Sequence, residues 1–220
     1  MRFQVIVPYM PSGPERAANL RWVLERLDLL DVTVAEIPEG SPWVKAAAVN
    51  PAVQASTADI VAIHDADVYT PGLLEAVVAV HDGAPWAVPH TKVHRLTQPA
   101  TAAVLDGARP STAMPTTERP YEGVPGGGCV VIPRRTALDI PLDPRFEGWG
   151  GEDHAWGYAL TTLAGDPWRS ESPLFHLWHP TPPRTSRKLG SHRSEQLRRK
   201  YRDAMIFTAD METLVGSIPR

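Results

Sequence analysis

The sequence has one cysteine, Cys129, so no disulfide can form within the chain, and a reducing compartment suits it. No apolar run approaches the ~18 residues that a membrane-spanning helix requires. The opening "MRFQVIVPYM" lacks the apolar core and cleavage site of a secretory signal and reads as a strand. No segment repeats, and nothing marks a clear second domain. Disorder is not the starting assumption either, because 43% of the 220 residues are hydrophobic, enough for a sizeable core. These absences lead to the expectation of a soluble, cytoplasmic protein of one domain, or one domain with an appendage.

Charge is scarce in total but unevenly spread. The net charge is −3, yet residues 184–202, "RTSRKLGSHRSEQLRRKYR", hold eight Lys/Arg against the single acid Glu195. That strip is +7 and the rest of the chain is −10. A cationic patch on an acidic body attracts phosphate at one place, and a solvated tail has the same composition.

The apolar pattern predicts alternating strands and helices. "FQVIVP" (3–8) is a short apolar run closed by proline, as a buried strand should be. "PERAANLRWVLERLDLL" follows with Leu20, Val23, Leu24 and Leu27 at helical spacing and Pro14 near its start. "DVTVAEI" (31–37) alternates as a strand, and 43–56 is helical but interrupted by Pro51, which predicts a kink or two short helices. An apolar strand over 59–68, a helix over 71–83 and a strand over 86–90 complete a β-α-β-α-β-α-β half. That order implies an α/β fold with a largely parallel sheet covered by helices. Stretch 91–125 is rich in Pro, Thr and Ala and reads as a loop with a short helix at 98–107. A strand and short helix (126–140), a helix (152–165), a strand (172–179) and a terminal helix (194–207) follow.

Ligands of such sheets lie beyond the carboxyl ends of the strands. Pro8-Tyr9 and the acids of "HDADV" fall there. Asp65 and Asp67 suit a divalent cation, one binding directly and one through ribose or water. An Asx turn closing the strand is the plainer explanation of that pair alone. In "FHLWHP", His176 and His179 lie an odd number of residues apart, which puts them on opposite faces of a regular strand. Pro180 ends the strand, so a turn there can swing His179 back beside His176. One aspartate oxygen with imidazole suits Mn²⁺ better than Mg²⁺. "FEGWGGEDHAWG" (146–157) sets Gly148, Gly150 and Gly151 around Trp149, just before Glu152, Asp153 and His154. Acids in a first helical turn are favoured by about 0.3–1 kcal/mol for electrostatic reasons alone. The glycines are not explained that way: they let backbone approach a ligand, and the indole offers a flat face to a sugar ring.

Together these segments resemble one family, the β-1,4-galactosyltransferases and their bacterial relatives. "FEGWGGEDHAW" is similar to the family's W-G-W-G-G-E-D-D segment. "VIVPY" with a following arginine, "WVKAAAVNPAVQAS", "IVAIHDADV", "PGGGCVVIPRRTA" and "FHLWH" resemble its other motifs in the same order, over roughly residues 3–180. The resemblance implies a GT-A fold, the Rossmann-like nucleotide-diphospho-sugar transferase architecture. It implies a glycosyltransferase that takes a nucleotide-sugar donor, with UDP favoured by Trp43, and a divalent metal, Mn²⁺ or Mg²⁺. It further implies inversion at the anomeric carbon.

Carried over by position, the resemblance puts the metal on Asp67, His179 and His176, and the donor on Pro8, Tyr9, Arg16, Trp43, Lys45, Asn50, Asp65, Gly127 and Gly128. Asp153 matches the general base and Glu152 the sugar-contacting acid. Trp149, Gly150 and His154 match the acceptor side, although the family has a further aspartate where this chain has His154. Residues 1–90 become a nucleotide-binding half, 91–180 an acceptor and metal half, and 181–220 a basic loop with a terminal helix. The acceptor is open: saccharide, small molecule, protein or nucleic acid. Rival readings are a nucleotidyltransferase or a retaining transferase on the same fold, and a nucleic-acid-binding module using 184–202.

Overall fold

The computed structural model describes residues 1–180 and 184–219, with side chains described for 1–180 and 193–219. Strand β1 (Phe3–Tyr9) is followed by helix α1 (Pro14–Arg26), β2 (Asp31–Glu36), α2 (Lys45–Ala55), β3 (Ile60–His64), β4 (Val68–Tyr69), α3 (Leu73–His81) and β5 (Ala87–Val88). Then come β6 (Lys92–Arg95), α4 (Gln98–Leu105), β7 (Tyr121–Glu122), β8 (Cys129–Pro133) and α5 (Arg134–Asp139). The chain continues through α6 (Glu152–Ala164), β9 (Trp168–Arg169), β10 (Leu174–His176), α7 (Arg184–Ala204) and α8 (Thr208–Gly216).

Two sheets form. The larger has the order β2-β1-β3-β8-β5-β9 and the smaller β4-β10-β6-β7. In the larger, β1 runs parallel to β2 and β3, and β9 parallel to β5, while β8 is antiparallel to both its neighbours. Its central strands β3 and β8 are apolar almost throughout because both faces are covered, whereas the edge strand β2 alternates. Ile6, Val61, Ile63, Val130 and Ile132 enter a core shared with α2, α5 and α6. Val5, Val7, Ile60, Ala62 and Val131 enter the opposite core, under α1, α3 and α4. The alternation follows from the two-residue period of a strand.

Several expectations are corrected. Helix α2 is one continuous helix with Pro51 inside it, neither broken nor split. Pro51 cannot donate to the Ala47 carbonyl, but both residues are exposed, so water can satisfy that group. The apolar run 59–68 does not form one strand: the chain leaves the large sheet after His64 and joins the small one at Val68. Stretch 91–125 contains the expected helix and also β6 and β7, whose pairing comes from distant segments. The terminal helix starts at Arg184, where a basic loop was expected, and ends at Ala204, followed by a further helix, α8. The side chains of 184–192, and all of 181–183, lie outside the described residues. Among the described residues no helix is long and apolar enough to cross a membrane.

Helix α7 is anchored behind the site by Tyr201. Its buried hydroxyl donates to Asp143 Oδ2 at 2.9 Å, and its ring lies 6.1 Å from that of Phe146. Arg145 chelates the same carboxylate at 2.6–3.0 Å. Tyr201→Phe keeps the ring and removes one hydrogen bond to a charged acceptor, so it should cost about 1.5 kcal/mol in a urea titration. The melting point should fall by about 3–6 °C.

Candidate active site

The carboxyl ends of β1 and β3 open onto a cleft of about 260 Å³, closed on its far side by β6, β7 and the start of α6. Its rim is fixed by backbone pairing. Beyond β3 the Asp65 N–H donates to the Gly128 carbonyl at 2.8 Å, which ties the end of β3 to the start of β8. The Leu177 N–H donates to the Asp67 carbonyl at 2.8 Å, and His176 pairs with Val68 across the small sheet. Those two links carry the "FHLWHP" segment to the aspartate.

Asp67, His176 and His179 therefore meet. One ligand atom from each lies within 4.8 Å of the others. His179 Nε2 is 3.2 Å and His176 Nε2 3.8 Å from the Asp67 carboxylate, and the two imidazoles are 5.3 Å apart. Strand β10 ends at His176, and the following turn brings His179 back to the same side. Burial alone would push the Asp67 carboxyl up. His176, His179 and Arg16 overcome that and hold it well below the usual carboxylate range. Burial pushes the His176 imidazole down, which favours the neutral form that a metal requires. Two cis ligands about 2.1 Å from one ion are about 3 Å apart, so the Asp67–His179 pair fits a divalent cation.

The second cluster is built around Lys45, at the first turn of α2. Its side chain is only 5% exposed, and Nζ lies 2.8 Å from Asp65 Oδ1 and 3.0 Å from Asp153 Oδ1. Burial alone would push the ammonium down, but Asp153 and Asp65, with Glu152 behind them, outweigh it and keep the group charged. Burial raises the Asp153 carboxyl, opposed by Lys45. Glu152, buried and beside Asp153, is pushed up to about 7.

The "GWGGED" segment explains its own composition. Gly148, Gly150 and Gly151 have φ of 77°, 105° and 101°, in the left-handed region that side chains avoid. Gly148 donates its N–H to the Trp43 carbonyl at 2.8 Å, and Gly150 donates to Glu152 Oε2 at 2.9 Å. Glu152 thus secures the turn before its own helix. The turn lays Trp149 flat on Trp43, with ring centroids 5.1 Å apart and planes 6° from parallel. The Arg16 guanidinium lies over the Trp149 ring, 4.5 Å from its centre. Trp43 Nε1 is buried with no hydrogen-bond partner among the described residues.

Glycines also set the floor. A Cβ on Gly126 would lie 2.1 Å from the Asp153 carbonyl oxygen, and one on Gly127 3.1 Å from Asp153 Oδ2. Gly157 faces Gly126 from the helix side, where a Cβ would meet its nitrogen at 3.0 Å. This close approach of α6 and the glycine segment leading into β8 brings Asp153 to Lys45.

Pro8, Tyr9, Arg16, Trp43, Lys45, Asp65, Asp67, Gly127, Gly128, Trp149, Gly150, Glu152, Asp153 and His176 all line the cleft, and His179 lines an adjoining one. Two expected residues do not. Asn50 bonds Leu142 through both ends of its amide, at 2.8 and 3.2 Å, and braces the loop after α5. His154 turns towards Tyr158. Three lining residues with polar side chains were missed: His90, Arg95 and Tyr121. Burial, with Arg169 and His64 nearby, lowers His90 to about 3. His90 follows β5, so the rule about strand ends marks it. Arg95 and Tyr121 sit on strands too short to stand out.

No family model matches the chain, and no curated protein is similar to it in sequence. Solved structures do match. Glucosyl-3-phosphoglycerate synthase from Mycobacterium tuberculosis, in complex with Mn²⁺, UDP and glucosyl-3-phosphoglycerate, gives a TM-score of 0.52 at 16% identity, over 100% of this chain and 81% of that one. The same enzyme with Mn²⁺ and UDP-glucose gives 0.53 at 17%, over 100% and 80%. A mycobacterial protein gives 0.54 at 17%, over 100% and 76%. The chain shares their fold, the GT-A arrangement of a mostly parallel central sheet between helices.

Proposed function

We propose that this protein is a metal-dependent glycosyltransferase that moves a sugar from a UDP-sugar to an acceptor hydroxyl, with inversion at the anomeric carbon. One observation carries the reading: a metal-ligating cluster and a lysine-bridged carboxylate meet in one cleft beyond the strand ends. The fold relatives with Mn²⁺, UDP and UDP-glucose in their structures support it. So does the ordered resemblance to the β-1,4-galactosyltransferases.

Asp67, His176 and His179 would hold Mn²⁺ or Mg²⁺, which when bound supplies Lewis-acid charge for the leaving diphosphate. Pro8, Tyr9 and Trp43 form the nucleoside side, with Asp65 towards the ribose. Gly127 and Gly128 leave room for the donor sugar. Asp153 accepts the proton of the acceptor hydroxyl as that oxygen attacks from the face opposite the diphosphate. Trp149 and Gly150 shape the acceptor side, and Glu152 holds their turn. Residues 1–90 supply the nucleotide side and 91–180 most of the acceptor side. Arg95 and Tyr121 from the small sheet, with His90 just after β5, would select the acceptor.

A thermal-shift panel of nucleotide sugars with Mn²⁺ tests the reading, since a ligand that binds only the folded state raises its melting point. A UDP-sugar should stand out, and Asp67→Ala should lose the Mn²⁺-dependent part of the shift. Stabilisation by nucleoside triphosphates alone would favour a nucleotidyltransferase instead. Asp153→Asn should lower turnover by about 10²–10⁴-fold with UDP binding retained, and NMR of the product should show the inverted anomer. Normal turnover in that variant removes Asp153 as the base. The base must be ionised, and its folded-state pKa is raised, so kcat/KM should fall as pH drops through that value. Lys45→Met removes the opposing charge, so the acid limb of the kcat/KM profile should move to higher pH.

A further inference from the structure

Arg16, in the first turn of α1, touches both the metal-ligand cluster and the tryptophan-bearing turn. Its side chain is 11% exposed. Nη1 lies 3.5 Å from Asp67 Oδ2, and Nη2 lies 3.2 and 3.3 Å from the two ring nitrogens of His179. The same guanidinium rests 4.5 Å from the centre of the Trp149 ring. A donor-binding arginine would be expected to keep its N–H groups free for phosphate. This one lines the cleft but turns its guanidinium onto the metal ligands.

The surroundings of Asp67 show why a cation belongs there. Its buried carboxylate faces His179 Nε2 at 3.2 Å and His176 Nε2 at 3.8 Å, and the His179 ring is tied on by its Nδ1, 2.9 Å from the Pro180 carbonyl. A buried carboxylate needs positive charge beside it. Arg16 provides it. The guanidinium fork has separate N–H groups to spend on the carboxylate and the imidazole while its flat face lies on an indole.

We infer that Arg16 is the resident cation of the Asp67–His179 site, that a divalent ion gains the site only by displacing it, and that this displacement uncovers Trp149. The inference rests on the proposed metal-binding role of Asp67, His176 and His179. Two cations cannot share ligand atoms spaced for one. Once displaced, the guanidinium finds its next partner in the donor diphosphate, which it can bind through two parallel hydrogen bonds. Metal and donor therefore favour each other's binding, and by linkage the effect is mutual. Trp149, relieved of Arg16, then keeps its stacking on Trp43 and the turn bonds of Gly148 and Gly150.

Mn²⁺ affinity, read from the free-ion EPR signal without any nucleotide, tests this. Arg16→Met should bind Mn²⁺ about tenfold more tightly than the wild type, because no resident cation competes. Arg16→Lys keeps a competing charge and should stay near the wild type. Adding UDP should tighten Mn²⁺ binding in the wild type by a larger factor than in Arg16→Met. In unmodified protein, saturating Mn²⁺ should speed phenylglyoxal labelling of Arg16, followed by peptide mass. That readout needs no variant and separates displacement from a simple change in site charge. Equal or weaker Mn²⁺ binding by Arg16→Met, or labelling that Mn²⁺ leaves unchanged or slows, overturns the inference and leaves the metal site standing. Absence of Mn²⁺ binding in every form, with and without UDP, overturns both.

Discussion

The Lys45 ammonium joins carboxylates that stand 88 positions apart in the sequence, Asp65 and Asp153. Without it the end of β3 and the start of α6 would press like charges together in a place with little water, at a cost of several kcal/mol. With it, the strand end that leads to the metal ligands and the helix start that carries the base are locked at one separation. Much of the local architecture serves that contact. Helix α2 must begin at Lys45, β8 must be entered through glycines, and Gly157 must leave α6 flat enough for Pro125-Gly126 to lie against it. A buried lysine between acids is an unfavourable choice for stability alone, and its place at the centre of the cleft ties it to chemistry.

Much of this was legible from the chain. Apolar runs that end in Pro-Tyr and in Asp-x-Asp mark strand ends facing a ligand, because polar residues there have no sheet to join. The glycines around Trp149 stood out too, but the sequence suggested close approach to a ligand. The structure uses them for left-handed backbone instead, with nothing within 4 Å of a Cβ placed on Gly150. What could not be read was contact made across the fold. Asn50 matches a motif residue, yet its amide is spent on Leu142, a partner 92 positions away. Strands of two to four residues, β6 and β7, exist only because β10 and each other supply their hydrogen bonds. Their own composition says loop. The reversed sense of β8 was hidden too, since a buried strand looks alike in either direction.

The aromatic pair makes the cleft self-filling. Trp43 and Trp149 cover each other's faces, which spares two large apolar surfaces from water. Stacking between indoles is cheap to exchange for stacking on a base or a sugar, because any flat ring satisfies it. Each ring is thus already in a contact of the same kind that a base or a sugar would make.

The glycine run has a consequence for how the chain tolerates changes in length. Between Glu122, the last residue of β7, and Cys129, the first of β8, only six residues cross from the small sheet to the large one. They touch Asp153 on one side and Asp65 on the other. An inserted residue there has no slack to absorb it and would shift both acids against their shared lysine. Residues 107–119 are mostly exposed, and additions to them would project into solvent. Deletion and insertion scanning along 105–129 would therefore trace a sharp boundary between a segment free to vary in size and one that is not.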